Sequence, residues 1–385
     1  MQVKRVLEQH IAVFGESGSG KTVLLSSFYG STQEPAYWRS SPYRVVADDI
    51  GQGSRLHKNY LDMRDSATRP APDRFRSISY AFSVKLRAGD TQPTTASPFD
   101  ALRLVWHDYP GEWFQEGVSG AEEAQRRVGT FRSLLTSDVA MLLVDGQELA
   151  DNAGAEERYL KSVLGNFRNA LLNLKDDLLP DGKPLVKFPR IWILALSKAD
   201  LLPNMDVVKF QELLIKKALE ELNELRAVLK SMVASSEALS LGEDFVLLSS
   251  AKFDSARIDL TQRVGIDLVL PIAAMLPFER HIKWVEEKKA GAEVAEELLS
   301  GLGAFAAVLI GKAKWGGLPG KVLAVIGAPV VSAAMTAAAK LAGNKLRTRH
   351  SEAIAKNDHM AAVLTGFQIA LNDGEDQQVL LRSLK

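Results

Sequence analysis

The chain has 385 residues, 46% of them apolar, with 47 basic and 47 acidic side chains and no cysteine. The apolar share supports a packed core and excludes a disordered chain, and a formal charge of zero speaks against a nucleic-acid binder, which carries a basic excess. Absence of cysteine removes disulfides, thiolate zinc sites and cysteine nucleophiles from consideration.

The opening Met1–Glu8 is charged early and has no apolar signal-type run, so the expected location is the cytoplasm. His10–Phe14 reads as a short buried strand and Val23–Phe28 as the first turns of a helix. Between them, Gly15-Glu-Ser-Gly-Ser-Gly-Lys-Thr22 fits G-x-x-x-x-G-K-[ST], a phosphate-binding loop. Gly15, Gly18 and Gly20 let the backbone bend so that successive N–H groups point at phosphates. The helix start adds its positive dipole end. Lys21 is placed to reach the β- and γ-phosphates, and the Thr22 hydroxyl to ligate Mg²⁺. Gly15, Gly18, Ser19, Gly20, Lys21, Thr22 and Val23 form the expected nucleotide-binding set here.

Gly30 to Arg76 is polar, with a helix expected over Leu56–Arg64. Thr68 is the candidate for a mobile loop whose hydroxyl closes over Mg²⁺ when a γ-phosphate is present; a plain surface threonine is the alternative. Thr94 and Thr95 fit that role less well, since they sit in a later turn. Ser77–Leu86 alternates apolar and polar residues as a half-exposed strand does, and Ala101–Asp108 is the next strand. The two read as an antiparallel hairpin at one side of an otherwise parallel sheet.

That second strand ends in Asp108-Tyr-Pro-Gly111, a D-x-x-G box where ligands bind in open α/β sheets. Asp108 is expected to hold Mg²⁺ through a water, and the Gly111 N–H to contact the γ-phosphate; a helix N-cap is the other reading of Asp108. A helix follows over Glu116–Leu135, carrying Arg126, Arg127 and Arg132. Solvated surface positions are the favoured reading of these arginines, with an arginine finger in cis as the alternative.

Asp138–Asp145 is near-continuously apolar, as a buried parallel strand should be. A long amphipathic helix is expected over Ala153–Leu179 and a buried strand over Ile191–Leu196. The strand runs into Ser197-Lys-Ala-Asp200, which has the form of a guanine-reading box. The Asp200 carboxylate can accept two hydrogen bonds, from guanine N1–H and the 2-amino group, and adenine offers neither in that register. The aliphatic stem of Lys198 covers one face of the base. Another helix runs from Val207 to about Ala234, then a short strand over Phe245–Leu248 ends in Ser249-Ser-Ala-Lys252. Ser250, Ala251 and Lys252 form a loop whose Ala251 N–H suits guanine O6. A helix over Gly265–Ala290 completes the βα repeat.

From Gly291 the composition shifts to Ala, Gly and Val. Leu298–Gly311 and Val322–Ala339 carry no charge, and the basic Lys312–Lys321 lies between them with Trp315. The first is too short to span a bilayer and the second borderline, since about 20 apolar residues are needed. Two readings stand for 298–339: a close-packed buried hairpin, or reversible membrane insertion with Trp315 and the lysines at the headgroups.

The order GESGSGKT, DYPG, SKAD, SAK resembles the TRAFAC-class P-loop GTPases over roughly Val3 to Ala290. Within that class, His107-Asp-Tyr-Pro-Gly-Glu-Trp113 and Ala67-Thr-Arg69 look like bacterial YcjX-like and related double-GTPase proteins. Outside the resemblance, 291–385 reads as a C-terminal all-helical region with the Gly/Ala-rich hairpin, expected to relay the nucleotide state, and 1–290 reads as the GTPase domain. The resemblance implies an α/β fold with a mostly parallel sheet flanked by helices. It also implies a guanine-nucleotide switch that hydrolyses GTP to GDP slowly with Mg²⁺, ATP being the poorer substrate. Lys21, Thr68, Gly111 and Glu112 are the catalytic candidates; Thr22, Thr68 and Asp108 are the metal candidates. Glu112 departs from the pattern, because glutamine usually stands there to orient the attacking water. The expected partners are guanine nucleotide and a protein or second copy of the chain, with a membrane surface as the further possibility and nucleic acid excluded. The alternatives are a hydrolysis-poor nucleotide-binding scaffold and a membrane-acting effector of dynamin-like or toxin-like logic.

Overall fold

The structure is a computed structural model and describes residues 6–68, 70, 78–86, 101–108, 120–253, 258–300, 335–356 and 359–383. Its centre is an eight-stranded sheet. The strands are β1 (Val6–Phe14), β2 (Tyr43–Ala47), β3 (Ile78–Leu86), β4 (Ala101–Asp108), β5 (Val139–Asp145), β6 (Ile191–Ser197) and β7 (Ser240–Leu247). The pair β8 (Lys252–Phe253) and β9 (Ile258–Asp259) lies apart from the sheet, and β10 (Leu380–Leu381) completes it. The order is β10-β7-β6-β5-β1-β4-β3-β2. Strands β4, β1, β5, β6 and β7 are parallel neighbours, while β3, β2 and β10 attach antiparallel. The hairpin expected from Ser77–Leu86 and Ala101–Asp108 is present as β3 and β4, with Tyr80 opposite Trp106.

The helices are α1 (Lys21–Thr32), α2 (Pro35–Ser40), α3 (Ile50–Ser66), α4 (Ala121–Leu134), α5 (Gly146–Asp151) and α6 (Glu156–Leu178). They continue with α7 (Val207–Met232), α8 (Val269–Glu286), α9 (Ala292–Ser300), α10 (Met335–Ala355) and α11 (His359–Asp376). β5 and β6 are buried at every position, which their unbroken apolar runs require, because helices cover both faces of a parallel sheet. One core lies under α1, α3, α8 and α11; the other lies under α4, α6 and α7.

Two packing features set the stage for the loops. Phe14, the last residue of β1, meets Phe131, Phe167 and Trp192 at ring-centre distances of 5.9, 5.1 and 5.6 Å. Each fully buried ring of this kind contributes about 2–3 kcal/mol, so the strand end beneath the Gly-rich loop is a stiff base. On the other face, α1 and α3 approach so closely that a Cβ on Gly30 would fall 2.1 Å from the Tyr60 ring.

The stretch 30–76 holds more than the one helix expected over Leu56–Arg64. It contains α2, β2 and the longer α3, whose first turn is capped by Asp49 accepting from the Gln52 N–H at 2.7 Å. The C-terminal region is helical, and its last described residues also supply β10, which pairs with β7. Most of the charge-free segments Leu298–Gly311 and Val322–Ala339 lies outside the described residues. Among the described residues no helix is long and apolar enough to cross a membrane.

Candidate functional site

The parallel strands bring the four boxes to one edge. The carboxyl ends of β1, β4, β6 and β7 carry, in turn, the Gly-rich loop, Asp108, Ser197–Asp200 and Ser249–Lys252. Ligands bind outside that edge in open α/β sheets, at the point where the strand order reverses. Here that point is β1, with β4 on one side and β5 on the other.

In the loop, Gly18 and Gly20 adopt left-handed φ values of 82° and 89°, which glycine reaches without a Cβ clash. No atom lies within 4 Å of where a Cβ would sit on Gly18; on Gly20 the nearest is Lys198 Cε at 3.9 Å. Both glycines therefore border open space, with Lys198 Cε the nearest side-chain atom to Gly20. Gly15 is tightly enclosed: a Cβ there would fall 2.6 Å from Ser19 Oγ and 3.0 Å from Leu143 Cβ. Lys21 is buried and its ammonium donates to the Gly15 carbonyl at 2.8 Å and the Glu16 carbonyl at 3.1 Å. This fixes the cation at the mouth of its own loop. Ser19 is buried as well, while Thr22 and Val23 are half-buried at the start of α1.

Asp108 pairs in register with Val13, two residues before Gly15, so the D-x-x-G aspartate sits beside the loop. Gly111 and Glu112 lie outside the described residues, as do Thr94 and Thr95. Thr68 is exposed just past the end of α3. Its N–H donates to the Asp62 carbonyl at 3.1 Å and its hydroxyl to the Ser66 carbonyl at 3.2 Å. Two of the three arginines on α4 have partners within the protein. Arg127 is buried against Glu123 at 2.5 Å, and Arg132 donates to the Asp177 carbonyl.

Ser197–Asp200 and Ser249–Lys252 are joined by hydrogen bonds. The Asp200 carboxylate accepts from the Ser249 hydroxyl at 2.6 Å and from the Phe253 N–H at 3.3 Å. The box on β6 and the loop after β7 thus hold each other. The Ser250 carbonyl accepts from the Ser27 hydroxyl of α1 at 2.9 Å, which ties the same loop to the helix behind the phosphate loop. Ser250 and Ala251 are buried and Lys252 is exposed. Ser197, where asparagine is commonest, donates to the Val144 carbonyl of β5 at 3.3 Å. Lys198 has a left-handed φ of 52°, and its ammonium meets the Asp145 carboxylate at 2.6 Å.

Asp145 is the residue that sequence reasoning did not single out. It closes β5 and caps α5, and an aspartate at a strand end is too common a signal to read alone. A cleft of about 410 Å³ opens on its other side, between Glu16 and Ser17 of the loop and Arg158, Tyr159, Ser162 and Asn166 of α6. Among the described residues no cluster of three or more His, Asp or Glu side chains is arranged to hold a metal ion. The fit of Mg²⁺ therefore rests on Thr22 and Asp108, one hydroxyl and one carboxylate flanking the phosphate loop, a donor set that suits a hard cation also bound by phosphate oxygens.

No family model matches the chain, and no curated protein matches it. Solved structures similar to it include the SRb-GTP/SRX complex of the signal recognition particle receptor from Chaetomium thermophilum. That similarity is 18% identity over 64% of this chain and 92% of that one, with a TM-score of 0.33. The G domain of the T. maritima FeoB iron transporter is similar at 15% identity over 58% of this chain and 98% of that one, with a TM-score of 0.24. The FeoB cytosolic domain in a GDP form is similar at 10% identity over 97% of this chain and 99% of that one, with a TM-score of 0.28.

The fold is that of a P-loop NTPase of the GTPase type. The statement rests on this chain's own topology: a glycine-rich loop between β1 and α1, and the other three boxes at the ends of β4, β6 and β7.

Proposed function

We propose that the chain is a guanine-nucleotide-binding switch that hydrolyses GTP slowly to GDP. The observation that carries this reading is the pairing of Asp200 with Ser249 across the ends of β6 and β7, with Lys198 lying beside Gly20 of the phosphate loop. The carboxylate that reads a base and the loop that holds phosphates are thereby parts of one site. Each Asp200 oxygen keeps a lone pair for the guanine N1–H or 2-amino group.

In the proposed reaction, water attacks the γ-phosphate in line with the leaving oxygen. Lys21 exchanges its loop carbonyls for β- and γ-phosphate oxygens and follows the charge as it spreads, helped by the amides of Gly15 to Val23. Thr68, Gly111 and Glu112 arrange the water. When bound, Mg²⁺ would supply positive charge that offsets the charge developing on the phosphates, and Thr22, Asp108 and Thr68 are the residues that would hold it. A carboxylate at Glu112 faces an already anionic phosphate, which favours slow turnover without a partner.

The division into 1–290 and 291–385 is proposed as one of function. The first part carries the nucleotide and the second relays its state to a protein partner, a second copy of the chain or a membrane surface. Support for the relay is the seating of α11 against α8 and of β10 against β7, the strand that leads into the Ser249–Lys252 loop.

The test is calorimetry with GTP, GDP and ATP on the wild type, Lys21→Ala and Asp200→Asn. Lys21→Ala is expected to lose GTP binding, and Asp200→Asn to shift preference toward xanthine nucleotides, whose 2-oxo group accepts from the new amide. ATP competing as well as GTP overturns the guanine assignment.

A further inference from the structure

We infer that Asp145 is a positioning residue for guanine binding: its carboxylate clamps the Lys198 ammonium and so lays the Lys198 stem along the base and the phosphate loop. The inference rests on the guanine-nucleotide reading above and names a residue outside the four boxes that this reading requires.

Three contacts and the burial of the carboxylate support it. The Lys198 ammonium donates to Asp145 Oδ2 at 2.6 Å, a charge-assisted bond at the short end of its range. The other oxygen, Oδ1, accepts from the Gln147 N–H at 2.8 Å, so the carboxylate is fixed from both sides. The Asp145 N–H donates to the Tyr159 hydroxyl at 2.7 Å, which anchors its backbone to α6. Asp145 is 6% exposed, and its low exposure strengthens the ion pair by keeping most water from the carboxylate. Together these hold the carboxylate before any ligand arrives, and preorganisation of this kind reduces the ordering cost of binding.

The next residue makes the same point by its size. A Cβ on Gly146 would fall 2.5 Å from the Ser197 carbonyl and 2.8 Å from the Lys198 carbonyl. Only glycine lets the start of α5 rest against the backbone of the base-reading box. Lys198 itself sits in the left-handed region, which a lysine adopts rarely, and an ion pair on its side chain offsets the strain. The Asp145–Gly146 pair therefore supports the box from beneath, through a side chain and through a backbone approach.

The test uses the full chain and fluorescent methylanthraniloyl-GDP, with release measured after excess unlabelled GDP. Asn caps a helix as well as Asp does, so Asp145→Asn removes the charge while keeping the α5 cap. Release is expected to speed up about tenfold, the loss of one charge-assisted bond at a partly exposed lysine. Asp145→Glu is expected to restore part of the loss. Lys198→Gln is expected to accelerate release at least as much, and the double variant no further, because Asp145 acts through Lys198. Gly146→Ala is expected to accelerate release by displacing the box. Preference for guanine over adenine is expected to persist in Asp145→Asn and to fail in Asp200→Asn, a readout that a general loosening of the fold does not give. Wild-type release from Asp145→Asn, or additive effects in the double variant, overturns the inference while leaving the guanine reading intact. A wild type that does not bind the labelled nucleotide removes the guanine reading, and this inference with it.

Discussion

Replacing Arg280 by methionine is expected to cost about 3 kcal/mol of stability, and replacing its partner as well is expected to recover most of that. The Asp244 carboxylate, on β7, is fully buried, and the Arg280 side chain, on α8, is 4% exposed. Arg280 Nη2 meets Asp244 Oδ1 at 2.8 Å and Nη1 meets Oδ2 at 3.3 Å. The carboxylate also accepts from the Ser383 N–H at 2.9 Å and the Ser240 hydroxyl at 3.0 Å. Breaking a buried pair strands an uncompensated charge at a cost of about 3–5 kcal/mol. Here two donors remain on the carboxylate, which places the cost at the lower end, about 3 kcal/mol. Native stability is typically 5–15 kcal/mol, so this is a large fraction. With a urea slope of about 3 kcal/mol/M the unfolding midpoint falls by roughly 1 M. The double variant Asp244→Leu with Arg280→Met has no stranded charge, and apolar replacement of such pairs is often neutral or better. Urea denaturation followed by circular dichroism measures both. An Arg280→Met midpoint within about 0.2 M of wild type, or a double variant as unstable as the single, refutes the reasoning.

Gly30→Ala gains about 1 kcal/mol in helix propensity, yet the new methyl would meet the Tyr60 ring at 2.1–2.6 Å. A net loss in thermal midpoint is expected, and a gain would show that α1 and α3 can move apart freely. Acid is expected to loosen the β2–β3 edge. Partial burial raises the Asp48 pKa, but the hydrogen bonds from Ser83 and Arg103 outweigh it and hold the carboxyl below its ordinary value. A lowered carboxylate pKa stabilises the fold above the unfolded value and loses that contribution as pH falls through the folded one, so amide exchange in β2 and β3 should rise below about pH 4. Arg103→Leu should reduce that acid sensitivity, the Ser83 hydrogen bond remaining, and an unchanged exchange profile would count against it.

The buried half of this fold was legible because its signals are local. β5 and β6 are continuous apolar runs, and the phosphate loop is flanked by a strand and a helix that only tertiary contact could have overridden. The antiparallel pairing of β3 and β4 followed from alternation and a turn. The missed elements lie where the local signal is weak. β2 is Tyr43–Ala47, five residues at the sheet edge with Arg44 and Val46 turned outward, and nothing in those residues outweighs the polar stretch around them. The first turn of α3 holds Gly51 and Gly53, poor helix formers. Gly53 is needed for closeness, since a Cβ there would fall 2.7 Å from Ala47. β10 is two residues long and exists because β7 offers an edge. In the site, the boxes fix which residues converge, but the sequence does not say what holds them. Lys198 and Asp145 are 53 positions apart, as are the Phe253 N–H and Asp200. Such pairs become visible only once the strands are laid side by side.

The last described residues are tied to the sheet and to three helices. β10 pairs with β7, and the Val207 N–H at the start of α7 donates to the Gln378 carbonyl at 2.9 Å. Arg382 reaches Glu279 of α8 at 3.0 Å and Glu375 of α11 at 2.6 Å. Phe367 of α11 is buried in the core shared with α1 and the sheet, edge-on to Tyr43 at 5.6 Å. A buried network in which each charge has partners is stiff, because opening it exposes several unpaired groups at once. α11 and β10 are therefore built as part of the body and not as an arm that swings free of it. In the nucleotide relay proposed above, α11 and β10 act as fixed parts of the body.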